Sequence, residues 1–68
     1  MIKMTKPKNE CGVAEFAITD ESDIENLPTN TVKKIVNGER ITVQVHSIAI
    51  DDDFNMFMLK TTGSWEPI

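Results

Sequence analysis

Read for the spacing of its apolar residues, the chain first shows a two-residue period between Val13 and Thr19. In "VAEFAIT", Ala14, Phe16 and Ile18 share one side while Val13, Glu15, Ala17 and Thr19 share the other. That is the pattern of a half-buried strand, opened here by Gly12. The same period returns in "TVKKIVNGERITVQV". Asn37-Gly38 is a favoured pair for a two-residue type I′ hairpin, because both residues tolerate positive φ. Such a turn places Val36 opposite Glu39, Lys34 opposite Ile41 and Val32 opposite Val43. One face then collects Val32, Val36, Ile41, Val43 and Val45, and the other collects Lys33, Ile35, Arg40, Thr42, Gln44 and His46. The register set by the turn and the sorting of the two faces agree, as a hairpin requires. A helix through 31–36 is the competing reading of its first half.

Between these strands lies an acidic stretch, Asp20–Asn26, too short for an ordinary helix. Ser22 is placed to cap a single turn, with Glu25 three residues on in the capping-box position, and Pro28 stops anything helical. After Ser47 the apolar positions change parity, from Val43 and Val45 to Ile48 and Ile50, which predicts a bulge or bend. An acidic turn at Asp51–Asp53, a strand "MFMLK", a second turn "TTGS" and a short last strand "WEPI" follow. Pro67 cannot donate to a ladder, so the last strand belongs at an edge. The pattern predicts a mainly β protein, a small antiparallel meander or partly open barrel of about four to six strands. Residues 1–11 read as an extended basic N-terminal arm, and residues 12–68 as a single small β domain.

Length sharpens this picture. A chain of 68 residues buries only about 60% of the surface it exposes when unfolded, so its core is marginal unless something adds to it. An internal disulfide is impossible, because Cys11 is the only cysteine, and one Cys with one His does not make a four-ligand zinc site. Association with another chain is the remaining remedy. The net charge of −4 argues against general nucleic-acid binding. The charge is unevenly spread: Lys3, Lys6 and Lys8 stand in "MIKMTKPKN" with no acid, whereas "DESDIE" at 20–25 has no base. The basic stretch reads either as a solvated terminus or as an arm laid on an acidic neighbour or on nucleic acid. No apolar run reaches the ~20 residues that span a bilayer, and the first residues lack the apolar core of a secretory signal. The expectation is a protein made in a reducing cytosol, neither secreted nor membrane-spanning.

The candidate chemistry is thin. Asp51, Asp53 and Asn55 match the opening of a calcium loop, but Met56 and Thr62 stand where that loop needs Gly and Glu. The acids are better explained as turn formers and as a charged guard beside an apolar strand. Cys11 and His46 make a poor nucleophile and base, since Glu10 opposes ionisation of the thiol. No glycine loop cradles phosphate. Neither an enzyme, a metal nor a cofactor is expected. The strand after the acids is richer. Met56 and Met58 point one way and Phe57 and Leu59 the other, and a domain this small can cover one face of such a sheet but hardly both. Met56 and Met58, with Phe54 beside them, are therefore predicted to form a contact surface, as flexible methionines suit adaptable interfaces. Trp65 reads as a cap on the end of the core or as an interface anchor.

"AEFAITDE", "LPTN", "NGER" and "SIAIDDDFNMFMLKTTGSWEPI" together resemble a recurrent pattern in small proteins of tailed bacteriophages. In that pattern a "SEFYxxD" opening is followed by an "NGS" turn, a D-x-x-x turn, a "VYMFD"-like strand and a terminal Trp. The resemblance covers residues 14–66; it departs from the pattern at Phe57, where Tyr is usual, and at "ER" after Gly38 in place of Ser. It implies a head- or capsid-associated accessory protein of the virion, assembled in the bacterial cytoplasm, with a structural role and no catalytic activity. The expected partners are the chain itself, as a homo-oligomer, and a capsid or other virion protein. They would be held by Phe54, Met56, Met58 and Trp65 and by Lys3, Lys6 and Lys8. The alternative is a small acidic inhibitor of a host enzyme or defence protein, with the acids at 20–25 and 51–53 as its working face.

Overall fold

The computed structural model describes residues 1–68. The strands are β1 (Ile2–Lys6), β2 (Glu15–Ile18), β3 (Lys34–Val36), β4 (Glu39–Ile41), β5 (Ile48–Ile50), β6 (Met56–Leu59) and β7 (Trp65–Pro67). A 3-10 helix, Glu21–Asn26, follows β2. Five strands form one sheet in the order β1-β2-β5-β6-β7, and β3 and β4 form a separate two-stranded sheet. The protein is mainly β. It has seven strands, one more than the largest number the spacing predicts, because the N-terminal stretch joins the sheet as β1.

The N-terminal arm is the first correction. Residues 2–6 pair antiparallel with β2, with Ile2 opposite Ile18 and Met4 opposite Phe16. The alternation in "IKMTK" explains this: Ile2 and Met4 pack against the core, which leaves Lys3 for the other face. A bulge between Met4 and Lys6 shifts the register by one residue and brings Lys6 opposite Glu15. The two side chains then form an ion pair at 3.3 Å.

The second correction concerns the meander. The centre of the large sheet is a parallel pair, β2 beside β5, with Phe16 opposite Ala49. All its other strand pairs are antiparallel. A parallel pair needs a crossover, and the crossover here is Thr19–Ser47, which carries the 3-10 helix and the β3–β4 hairpin. These lie over one face of the sheet. Leu27, Val36, Ile41 and Val43 from the crossover join Phe16, Ile18, Ala49, Phe57 and Leu59 from the sheet in one buried cluster.

The hairpin has the register its turn predicts. Asn37 and Gly38 take φ of 53° and 79°. Val36 pairs with Glu39 and Lys34 with Ile41. Val36 and Ile41 are buried while Ile35 is 65% exposed. The ladder starts only at Lys34, however, so the expected pairing of Val32 with Val43 is not made. The Val32 carbonyl instead accepts from Thr29 N–H, and Val43 N–H donates to the Thr29 carbonyl. Val32 is left exposed. The 3-10 helix starts two residues earlier than expected. Asp20, not Ser22, is its cap, and Asp23, not Glu25, completes the capping box. The shorter aspartates reach the free N–H groups of this tight turn.

The chain does bend after Val45, but the inward positions keep their odd numbering on both sides of it, Ile41 and Val43 before and Ser47 and Ala49 after. His46 adopts φ of 83°, and from there Ser47 and Ala49 turn inward and are fully buried. Ile48 and Ile50, which alternate with them, face the other way.

Candidate functional site

The site follows from the strand registers. The sheet buries one face under the crossover, and the opposite, outer face has two rows of side chains read across the strands. One row runs Lys6, Glu15, Ile48, Met58, Glu66. The other runs Lys3, Ala17, Ile50, Met56. Ala17, Ile48, Ile50, Met56 and Met58 thus form a contiguous apolar centre on β2, β5 and β6. None of them belongs to the buried cluster or packs against it, and Met56 is 43% exposed. The flanks are polar and opposite in sign, with Lys3 and Lys6 along β1 and Glu66 on β7.

This placement brings together part of the predicted contact set and divides the rest. Met56 and Met58 share the outer face with Lys3 and Lys6. Phe54 stands at the tip of the β5–β6 turn, 85% exposed, with φ of 65°. Lys8 is exposed in the loop between β1 and β2. Trp65 is on the other side of the molecule. Its ring meets Phe16 edge-on at 6.1 Å between centroids, and its Nε1–H donates to the Pro28 carbonyl at 3.0 Å. It closes the end of the core rather than joining the methionines, because Trp65 pairs with Leu59, whose side chain is wholly buried.

Ala17, Ile48 and Ile50 are the members of this surface that motif reading passes over. Their signal is parity alone: each alternates with core residues along its strand. Recognising the face as continuous also requires the β2–β5 pairing, which no local pattern announces.

The acidic turn serves the backbone. Asp51 Oδ1 accepts from the N–H groups of Asp53 and Asn55, each at 2.9 Å, and Oδ2 accepts from Asn55 Nδ2 at 3.1 Å. Desolvation works to raise the Asp51 carboxyl, but the donations from Asn55 and Asp53 outweigh it and hold the group below the ordinary carboxylate value. Asp23 is similarly held low. The first cause is the Met1 ammonium at 2.7 Å; desolvation opposes it, and the Thr19 and Asp20 amides add to it. Asp20 itself accepts from Ser22, through both N–H and hydroxyl. Three of the acids in the two clusters are therefore engaged in building turns.

Two open depressions lie away from the outer face. One, of about 460 Å³, has Ile24, Phe57, Trp65 and Pro67 along it with Glu21 and Glu25. The other, of about 440 Å³, is lined by Asn26, Lys33, Lys34, Ile35 and Arg40. The structure gathers no group of three or more His, Cys, Asp and Glu side chains suited to a metal. Cys11 is exposed and unpaired. No helix is long and apolar enough to cross a membrane. No protein-family model matches the chain, and searches of curated proteins and of solved structures find no significant match.

Proposed function

We propose that this chain is a non-enzymatic binding protein, a head- or capsid-associated component of a phage particle, that works by burying the outer face of its sheet against protein. The observation that carries the binding role is the apolar centre Ala17, Ile48, Ile50, Met56 and Met58. It forms a contiguous patch across three neighbouring strands, with Lys3, Lys6, Glu15 and Glu66 beside it on the same face. Contiguous apolar area rimmed by polar groups marks an interaction site more often than scattered exposed residues do. Met56 is exposed and Ala17, Ile48, Ile50 and Met58 are half-buried, yet all five lie outside the buried cluster that the crossover covers. The virion setting rests on the resemblance of residues 14–66 to small proteins of tailed phages.

The test is incorporation. Particles of the phage that carries this gene would contain the chain at a fixed copy number, detectable by mass spectrometry of purified virions. Met58→Asp, placed in the centre of the patch, would fold normally by circular dichroism yet fall at least tenfold in particles. Absence of the wild-type chain from virions would remove the virion assignment. Undiminished incorporation of a folded Met58→Asp chain would remove the patch from the interface.

A further inference from the structure

Granted the binding role of the outer face, its occupant can be argued from the pattern of charge and shape upon it. β5 is the middle strand of five, so the face has equal numbers of strands on either side of Ile48 and Ile50. Charge is distributed in the opposite sense, basic at the β1 edge and acidic on β7. Two identical faces can be stacked about a two-fold axis in only two simple ways. An axis across the strands lays β1 on β1, which sets Lys3 and Lys6 against the same lysines. An axis along β5 lays β1 of one copy over β7 of the other and brings Lys6 over Glu66 of the second copy. The same operation puts the small Ala17 opposite the long Met56 of the second copy, lays Glu15, which already pairs with Lys6 at 3.3 Å within its own chain, over Met58 of the second copy, and leaves β5 facing its own image. Sheets stacked in this way sit about 10 Å apart with strand directions within about 30°.

We infer that the outer face binds a second copy of this chain, in an isologous face-to-face dimer whose two-fold axis runs along β5. The side chains on the axis are Ile48 and Ile50, each meeting its own counterpart, as a closed two-fold contact requires. The face is about 19 Å wide by strand spacing and about 10 Å high, well short of the ~800 Å² per partner of a standard interface. The dimer is accordingly weak and its population depends on concentration.

Cysteine crosslinking of the full chain tests this. In a Cys11→Ser background, Ile48→Cys and Ile50→Cys should each give a covalent dimer with a short bifunctional thiol reagent that bridges the ~10 Å between stacked sheets, a gap too wide for a direct disulfide, under conditions that leave Lys3→Cys monomeric. Sedimentation equilibrium on the unmodified chain should show a monomer–dimer equilibrium that Met58→Asp weakens at least tenfold, with circular dichroism unchanged. Two results overturn the dimer. One is a Lys3→Cys crosslink exceeding those at 48 and 50, which places the axis across the strands. The other is a strict monomer at ~1 mM. If the chain is monomeric but Met58→Asp still removes it from virions, the binding face stands and only its occupant changes.

Discussion

Ser47 Oγ accepts the Ala14 N–H at 3.1 Å in the buried interior, while its own hydroxyl donates to the Gln44 carbonyl at 2.8 Å. One side chain thereby joins the entry to β2 with the entry to β5, where neither segment yet has its regular ladder partner. Ser47→Ala leaves the Ala14 N–H without an acceptor in a fully buried place. The expected loss is about 1–3 kcal/mol in stability by urea denaturation. A loss within experimental error would mean that the ladder bonds around it, Ile48 N–H to Ala14 O among them, hold the seam alone.

Trp65 is a second case where one polar atom and one apolar body act together. Trp65→Phe keeps the edge contact with Phe16 but removes the donor to Pro28, whose side chain is fully buried. A cost of about 1 kcal/mol is expected. Trp65→Ala loses the ring as well and should cost about 3 kcal/mol or more. Because this is the only tryptophan, its emission in the wild type reports the same unfolding transition that circular dichroism follows, and the two curves should coincide.

Gly12 and Gly38 both have φ near +80° but differ in surroundings. A Cβ at Gly38 meets nothing within 4 Å, so Gly38→Ala carries only the left-handed backbone cost, about 1–2 kcal/mol. At Gly12 the Cβ would lie 2.6 Å from Gln44 Cγ, so Gly12→Ala must also displace that side chain. Gly12→Ala should therefore be the more costly, and Gln44→Ala in the same chain should recover the difference. Equal losses at the two glycines would show that the exposed Gln44 side chain swings aside freely.

Acid should unfold the protein partly through Asp23 and Asp51. Both carboxyls are held below their ordinary value of 3.8, so the folded state binds their protons less readily than the unfolded chain does. Their stabilising contribution is present above about pH 4, the unfolded range, and disappears as pH falls through the depressed folded values. Melting temperatures between pH 6 and pH 2 should fall in that window. Asp51→Asn, which keeps an acceptor but cannot titrate, should be less stable at neutral pH and show a shallower decline.

How far the fold was legible depends on the range of the signal. The β3–β4 register could be read because Asn37-Gly38 fixes it within eight residues, and the split between Phe57 or Leu59 and Met56 or Met58 follows from alternation along one strand. The strand at Ile2–Lys6 was written in the same alphabet. Three lysines drew attention to charge, though, and Ile2 and Met4 are only two apolar positions, too few to assert a strand without its partner. The β2–β5 pairing had no local sign at all. It arises because the crossover must lay Leu27, Val36 and Val43 against Phe16 and Ala49, a relation between distant parts of the chain. For the same reason, the methionines were visible as a surface, but Ala17 as part of it was not, and Trp65 was grouped with residues from which the sheet separates it.

The parallel seam also bears on how the chain assembles itself. β1 and β2 are neighbours in sequence, as are β5, β6 and β7, so each group can zip up from its own turn. The two groups meet only when the whole detour Thr19–Ser47 has closed, an entropic debt settled late and all at once. Until then the edges of β2 and β5 are bare, each an unpaired strand able to accept a stranger. The topology thus gives the middle of the sheet, and not its edges, the strand pairing of longest sequence range.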